Sequence, residues 1–468
     1  VDAAEFRQYG HELVDWIAEY LEHSDRYPVL PRVKPGDIRS ALPAAAPEDP
    51  EPFGAILADF ERVLVPGLTH WNHPGFMAYF AISASPPGVL AEFLAAALNQ
   101  QAMLWRTSPA ATELEEVSLG WLRKLIGLPS SFEGVIYDTA SIATLHALVA
   151  AREAAIPSAR IEGIAGRGNV PKLRVYTSEQ ANLSVDRSVI AIGLGHESLH
   201  KIPVDDDFRM RADALQAAIA GDRAAGFQPI AVIATVGTTV TTAIDPVEAI
   251  ADICERERLW LHIDAAYAGV AAMLPTHAHV LAGADRADSV VVNPHKWLFT
   301  PFDLSAFYCR RMDIVRSAFS LTPHYLLTPE QGEIRNLMDT GVQLGRRFRA
   351  LKLWMILRSF GARQLREHLT RHIALAQQFA GWIDAHHEFE RVAPVPFSVV
   401  CFRWKPARPS LSNEELDSAN QRLVDDVNRS GEVFLSTATV KGRLTIRLAV
   451  GHIRTDESHI RTAWSLLL

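Results

Sequence analysis

The chain is 468 residues long, carries 46 lysines and arginines against 54 aspartates and glutamates, and has a formal net charge of −8. That length implies two or three domains with large cores, and the acidic balance argues against a nucleic-acid or anionic-membrane binder, which would need a basic patch. With 48 % hydrophobic and 21 % charged residues, the composition is that of a folded protein. The three cysteines, Cys254, Cys309 and Cys401, are far apart and odd in number. They exclude a disulfide framework and a Cys-rich zinc site, and they suit a reducing compartment. No apolar run approaches the ~20 residues of a membrane helix, and the opening residues carry charge where a signal peptide would be apolar. The expectation is a cytoplasmic enzyme with no metal, nucleic-acid or membrane partner.

In chain order, residues 2–22 place Phe6, Tyr9, Leu13, Ile17 and Leu21 at three- and four-residue steps, which predicts an amphipathic helix. Prolines 28, 31, 35, 43, 47, 50 and 52 then forbid regular structure, and a helix is predicted from about Phe53 to Leu64. This segment, 1–85, has little of its own to bury its apolar face against, so it should pack on the main domain or on a second subunit. From about Pro86 to Gly361 short β-branched runs alternate with helical stretches. The clearest strands are Leu173–Thr177, Ile230–Val236, Leu259–Ile263 and Ser289–Asn293, with helices at Asp213–Ala220 and Val247–Arg256. Apolar strands alternating with helices predict an α/β domain with a mostly parallel sheet covered on both faces. Residues 362–468 read as a small α+β domain: a long helix with Leu365, Leu369, Ile373, Ala376 and Ile383, then strands at Phe397–Trp404 and Leu444–Val450.

The chain has no Walker A loop, no Gly-x-Gly-x-x-Gly after a strand and no His-Glu-x-x-His. His368 and His372 lie four apart on a basic helix without a third ligand and are expected to be solvated. The informative segments are strand ends. Leu259-Trp-Leu-His-Ile-Asp264 puts a carboxylate at the end of an apolar strand, where it needs a cation or donor. Asp288-Ser-Val-Val-Val-Asn293 runs out into Pro294-His295-Lys296-Trp297. Carboxyl ends of parallel strands are where open α/β sheets bind ligands. Asp264 and Lys296 could form a structural ion pair. Alternatively, Lys296 forms an imine with an aldehyde cofactor while Asp264 holds a pyridinium nitrogen, the two parts a pyridoxal phosphate site needs. Thr139-Ala140-Ser141 opens a helix directly after the strand-like Val135-Ile136-Tyr137 and suits a phosphate at a helix N-terminus, though alone it is equally an N-cap.

With these segments in hand, the chain resembles the group II pyridoxal-phosphate decarboxylases, specifically the aromatic L-amino acid (dopa-type) decarboxylases. The resemblance runs through Phe6-Arg-Gln-Tyr-Gly-His-Glu-Leu-Val-Asp15, His70-Trp71, Ala78-Tyr79-Phe80 and Ser108-Pro-Ala-Ala-Thr-Glu-Leu-Glu115. It continues in Asp264-Ala-Ala-Tyr-Ala-Gly269, Asn293-Pro-His-Lys-Trp297 and Leu344-Gly-Arg-Arg-Phe-Arg-Ala-Leu-Lys-Leu-Trp354. It implies a fold-type I, aspartate aminotransferase-like architecture, pyridoxal 5'-phosphate as cofactor, and an obligate homodimer with the active site at the interface. It also implies Lys296 as the imine lysine, Asp264 as the ring-nitrogen partner, Ala266 against the ring, Thr239 near its substituents, and Ala140, Ser141 and Asn293 at the phosphate. His262 and His295 would line the site. Trp71, Tyr79 and Phe80 would form an aromatic substrate pocket, joined by Gln101 and Met103 from the partner subunit. Tyr325, in Leu321-Thr-Pro-His-Tyr325, matches the mobile loop whose tyrosine donates the proton in this family.

One position departs from the usual pattern. Thr177-Ser-Glu-Gln-Ala-Asn182 aligns where the family usually has a histidine stacked on the cofactor, and an amide neither titrates near neutrality nor stacks with the same area. Relatives with asparagine there include aromatic aldehyde synthases, which use dioxygen and release aldehyde, ammonia, carbon dioxide and hydrogen peroxide. Tyr325 favours the amine instead. Ile142, His146 and Arg106 also look unusual. The expected activity is decarboxylation of dopa, tyrosine, phenylalanine or tryptophan to the amine, with aldehyde synthesis as the alternative. An aminotransferase would need an arginine clamping the substrate carboxylate; Arg447 is read only as a strand residue of unknown role.

Overall fold

The computed structural model describes residues 1–168, 170–321, 334–407 and 411–468. Its centre is a seven-stranded sheet of β1 (Glu133–Tyr137), β2 (Lys172–Ser178), β3 (Leu199–Ile202), β4 (Phe227–Thr235), β5 (Trp260–Asp264), β6 (Ser289–Val292) and β7 (Ser305–Cys309), in the order β1-β7-β6-β5-β4-β2-β3. The pairs from β6 through β3 are parallel, while β7 runs antiparallel to both β1 and β6. The central strands β4 and β6 are largely apolar because both faces of the sheet are covered there, while the edge strand β3, Leu199-His-Lys-Ile202, is only partly buried. Val232, Ala234, Leu261 and Ile263 enter one core, and Ala231, Ile233 and Trp260 enter the other, beneath the helix Ala140–Ala155. A one-residue slip would exchange these faces, so the alternation fixes the register.

A second sheet holds β8 (Phe389–Arg391), β9 (Val399–Trp404), β10 (Ser436–Val440) and β11 (Arg443–Ala449), antiparallel throughout in the order β10-β11-β9-β8. It packs with the helix Ala350–Ala385 around Phe379, Ile383, Phe402 and Ile446. Gly361 interrupts that helix at φ 64°, a left-handed geometry that glycine adopts without steric cost. Along the helix His372 is fully buried and accepts a hydrogen bond from Trp297 Nε1 at 3.0 Å. This corrects the expectation of a solvated histidine: this part of the helix is core, and burial pushes the imidazole down to about 3.

The first helix, Ala3–Glu22, begins with a capping box in which Asp2 accepts from the Glu5 N–H and Glu5 accepts from the Asp2 N–H. It buries none of its residues within this chain. Further on, residues 75–77 are hydrogen-bonded to the second sheet and to the residue leading into it: Phe434 N–H donates to Gly75 O (3.0 Å), Met77 N–H to Phe434 O (3.0 Å) and Ala449 N–H to Met77 O (2.8 Å). Among the described residues no helix is long and apolar enough to cross a membrane.

Candidate active site

A cavity of about 190 Å³ opens at the carboxyl ends of β4, β5 and β6, lined among others by Thr235, Asp264, Asn293 and Lys296. Each of these follows an apolar strand, so the sheet delivers polar groups to one edge. Asp264 is buried; its Oδ1 accepts from the Ala266 N–H at 3.1 Å. Burial pushes this carboxyl above its ordinary value, and the charge of Lys296 opposes the shift. Burial likewise lowers the Lys296 ammonium, Asp264 opposes this, and the cation of Arg447 adds to it. The two side chains face the same cavity, and among the described residues no ion pair joins them directly. That arrangement is unlike a structural salt bridge, which would close the space between them.

The helix Ala140–Ala155 aims its N-terminus at the same cavity, with Thr139, Ala140 and Ser141 in the lining. Thr139 sits at the N-cap in extended geometry, yet its hydroxyl makes no capping bond. The first-turn N–H groups therefore keep their capacity for an anion, reinforced by the helix dipole. Asn293 Oδ1 accepts from Ser305 Oγ at 2.6 Å, so its amide NH2 is what it offers the cavity. His295 Nδ1 accepts from the Leu304 N–H at 3.0 Å, and burial holds the ring neutral, down to about 3. Asn182 is fixed at both ends: Nδ2 donates to Thr239 Oγ1 (3.0 Å) and Oδ1 accepts from the Ser184 N–H (2.9 Å).

One wall is aromatic. Phe80 stacks on Tyr267 with centroids 4.0 Å apart, and Tyr267 stacks on Trp297 at 4.9 Å. Lys296 Nζ lies 5.1 Å from the Phe80 centroid. Tyr267 Oη and Ser398 Oγ are hydrogen-bonded at 2.7 Å, and the Trp297 bond to His372 ties the far end of the stack.

Of the expected residues, Phe80, Ala140, Ser141, Asn182, Thr239, Asp264, Ala266, Asn293, His295 and Lys296 line the cavity together. His262 does not. It shares the face of β5 that carries Asp264 but lies one step back inside the sheet, fully buried against Ser289 (2.9 Å) and Phe307. Trp71 and Tyr79 are also outside the lining; Trp71 stacks on Phe76, and both Trp71 and Tyr79 are exposed in this chain. Gln101 and Met103 lie away from this cavity, joined to a later segment through Gln101 Oε1 and the Arg346 N–H (2.7 Å) and through Met103 O and the Met338 N–H (3.1 Å). Tyr325 lies outside the described residues. Sequence reasoning missed Ser184, Thr235 and Tyr267 as lining residues. Thr235, a polar residue closing an apolar strand, carries the same signal that marked Asp264. Its Oγ1 is buried without a partner among the described residues, as expected of a site built to receive a polar ligand. His146 packs edge-on against Tyr137 at 4.4 Å, inside the core rather than in the site.

An amine and a carboxylate lining one strand-end cavity, beside an uncapped helix N-terminus on a mostly parallel sheet, are the parts that a fold-type I pyridoxal-phosphate enzyme needs. The chain belongs to the pyridoxal-dependent decarboxylases: the model of that family's conserved domain matches residues 35–405. It is 37 % identical to the phenylacetaldehyde synthase of Rosa hybrid cultivar over 482 aligned residues, covering 100 % of this chain and 94 % of that one. It is 38 % identical to the aromatic-L-amino-acid decarboxylase of Sus scrofa, covering 99 % and 96 %. The crystal structure of Oryza sativa TDC with PLP and tryptamine superposes with a TM-score of 0.96 at 36 % identity, covering 100 % of this chain and 97 % of that one. The cofactor is pyridoxal 5'-phosphate, and the residues present fit it. The family contains both decarboxylases and aldehyde synthases at similar identity.

Proposed function

We propose that this chain decarboxylates an aromatic L-amino acid of the dopa, tyrosine, phenylalanine or tryptophan type to the arylalkylamine and carbon dioxide. The observation that carries the reading is that Lys296 and Asp264 line one cavity together with the stacked rings of Phe80 and Tyr267. Bound pyridoxal phosphate supplies the sink for the electron pair left when the carboxylate departs. Lys296 holds the cofactor covalently, and the lowering of its ammonium favours the neutral, nucleophilic amine. Asp264 keeps the proton on the ring nitrogen; its burial makes that interaction stronger than it would be in water. Thr139, Ala140, Ser141 and Asn293 hold the phosphate. Asn182 and Ala266 would lie against the ring and Thr239 near its substituents, with His295 lining the site. Phe80 packs against the aromatic substrate, and Tyr325 returns a proton to the reacting carbon.

A homodimer belongs to this reading. The first helix buries none of its residues in one chain, and Trp71, Tyr79, Leu94 and Leu98 are exposed. A second subunit would cover them and bring Gln101 and Met103 to the neighbouring site. The three cysteines are free and buried, compatible with a reducing, cytoplasmic setting.

A second reading is favoured by Asn182. Its amide is locked to Thr239 and the Ser184 N–H and supplies no titrating group over the ring. The alternative is an aldehyde synthase: amino acid, dioxygen and water give arylacetaldehyde, carbon dioxide, ammonia and hydrogen peroxide. The test is turnover of L-dopa, tyrosine, phenylalanine and tryptophan in air with amine, peroxide and oxygen followed together. Amine without peroxide is expected; one peroxide per carbon dioxide would establish the second reading instead. If peroxide forms, Asn182→His should lower it, and an unchanged product ratio would count against the role of Asn182.

A further inference from the structure

Arg447 lies outside the cavity lining, yet it touches two segments that build the site. Its Nη1 donates to Tyr79 O at 2.6 Å and its Nε to Val240 O at 2.9 Å. Its guanidinium carbon lies 4.9 Å from the centroid of Phe80. Arg447 is 4 % exposed, its Nη2 has no partner among the described residues, and burial lowers its basicity. A buried cation without a carboxylate partner is disfavoured unless its position serves something else.

Tyr79 has φ 50°, a left-handed conformation uncommon for a bulky side chain. Both of its backbone polar groups are gripped by the second sheet. Its N–H donates to Ser436 Oγ at 3.3 Å, and its carbonyl accepts from Arg447. Ser436 and Arg447 are direct cross-strand partners in the β10–β11 ladder, so one rung of that ladder holds both sides of one strained residue. The turn at Tyr79 places its own ring outside, 54 % exposed, and leaves Phe80 in the cavity wall. Val240, the other residue that Arg447 holds, follows Thr239, which also lines the cavity.

We propose that Arg447, with Ser436, is a positioning residue for the aromatic substrate wall: it keeps Tyr79 left-handed and thereby sets Phe80 against the substrate. The inference rests on the reading that the cavity takes an aromatic amino acid. It assigns the second sheet a part in substrate selection, although that sheet contributes no residue to the cavity lining.

Arg447→Met retains the apolar stem beside Phe80 and removes every donor. In the holoenzyme it should raise KM for tryptophan or dopa at least tenfold, with kcat within about threefold and the affinity for pyridoxal phosphate within about threefold. Arg447→Lys keeps the charge but reaches at most one of the two carbonyls, so it should resemble the methionine variant. Restoration of wild-type KM by lysine would mean that charge alone matters and would overturn the proposal. Equal losses of cofactor affinity and KM would reduce Arg447 to a general structural role and would overturn it as well. Glycine tolerates positive φ, so in a Tyr79→Gly background Arg447→Met should add less than threefold to KM; an undiminished tenfold effect would refute the coupling. Ser436→Ala, a milder change at the other end of the grip, should move KM in the same direction by two- to threefold. If wild-type protein ignores aromatic amino acids, the proposed function fails, but a crystal structure of Arg447→Met still decides the grip. Tyr79 should leave the left-handed region and Phe80 leave the wall; an unchanged pair would overturn the inference.

Discussion

Replacing the buried imidazole of His146 tests how much the core resists acid. His146 is 1 % exposed, packs against Tyr137 and Phe319, and accepts one long hydrogen bond, 3.3 Å, from the Val342 N–H. Burial pushes its pKa down to about 3, against about 6.5 in an unfolded chain. Between those values the unfolded state binds a proton that the folded state does not, so stability is fully present above about 6.5 and falls as pH drops towards 3. At about 1.4 kcal/mol per pH unit, this one residue removes about 2 kcal/mol between pH 7.5 and pH 5. His146→Leu, which keeps an apolar group of similar size in that space, should lose about 2 kcal/mol less over the same interval. The assay is urea unfolding of both proteins at matched protein and cofactor concentrations, with the difference in their pH dependence as the readout. Parallel pH profiles for the two proteins would refute the claim that this ring is held neutral by burial.

Asp264→Asn should bind the cofactor yet form product on the order of 10²–10³ times more slowly, as for loss of one preorganised electrostatic partner. Because Asp264 raises the Lys296 pKa, the same variant should move the pH dependence of apoprotein reaction with pyridoxal phosphate to lower pH; a shift to higher pH would contradict the assignment. Glu115→Gln breaks a buried pair in which Arg346 Nη2 lies 2.8 Å from Glu115 Oε1, while the glutamine can still accept from the Ile136 N–H. It should cost about 3–5 kcal/mol, read from the urea midpoint, because Arg346 would be left buried without its counter-charge; a cost under about 1 kcal/mol would contradict this.

Much of this was legible in the sequence where a single physical pressure decided the residue. Apolar β2, β4, β5 and β6 follow from burial on both faces, and Asp264 and Lys296 stand out as charges placed at the ends of such strands. The antiparallel β7 was not legible, because Ser305–Cys309 is short and its direction depends on where the chain returns across the sheet. His262 was misplaced because motif position says nothing about depth: along one strand, a buried core imidazole and the carboxylate at the sheet edge share a face. His372 misled for the opposite reason, its basic neighbours marking the outer face of a helix whose inner face meets Trp297. The outward turn of Tyr79 depends on a hydrogen bond from Arg447, 368 positions later, which no local pattern encodes.

The most direct measurement is borohydride reduction of the holoenzyme followed by peptide mapping by mass spectrometry. A single phosphopyridoxyl adduct on Lys296, with no covalent adduct in Lys296→Ala, is the predicted result. An adduct on another lysine in place of Lys296, or a reduced covalent adduct at the site of the Lys296→Ala protein, would contradict the covalent role given to Lys296.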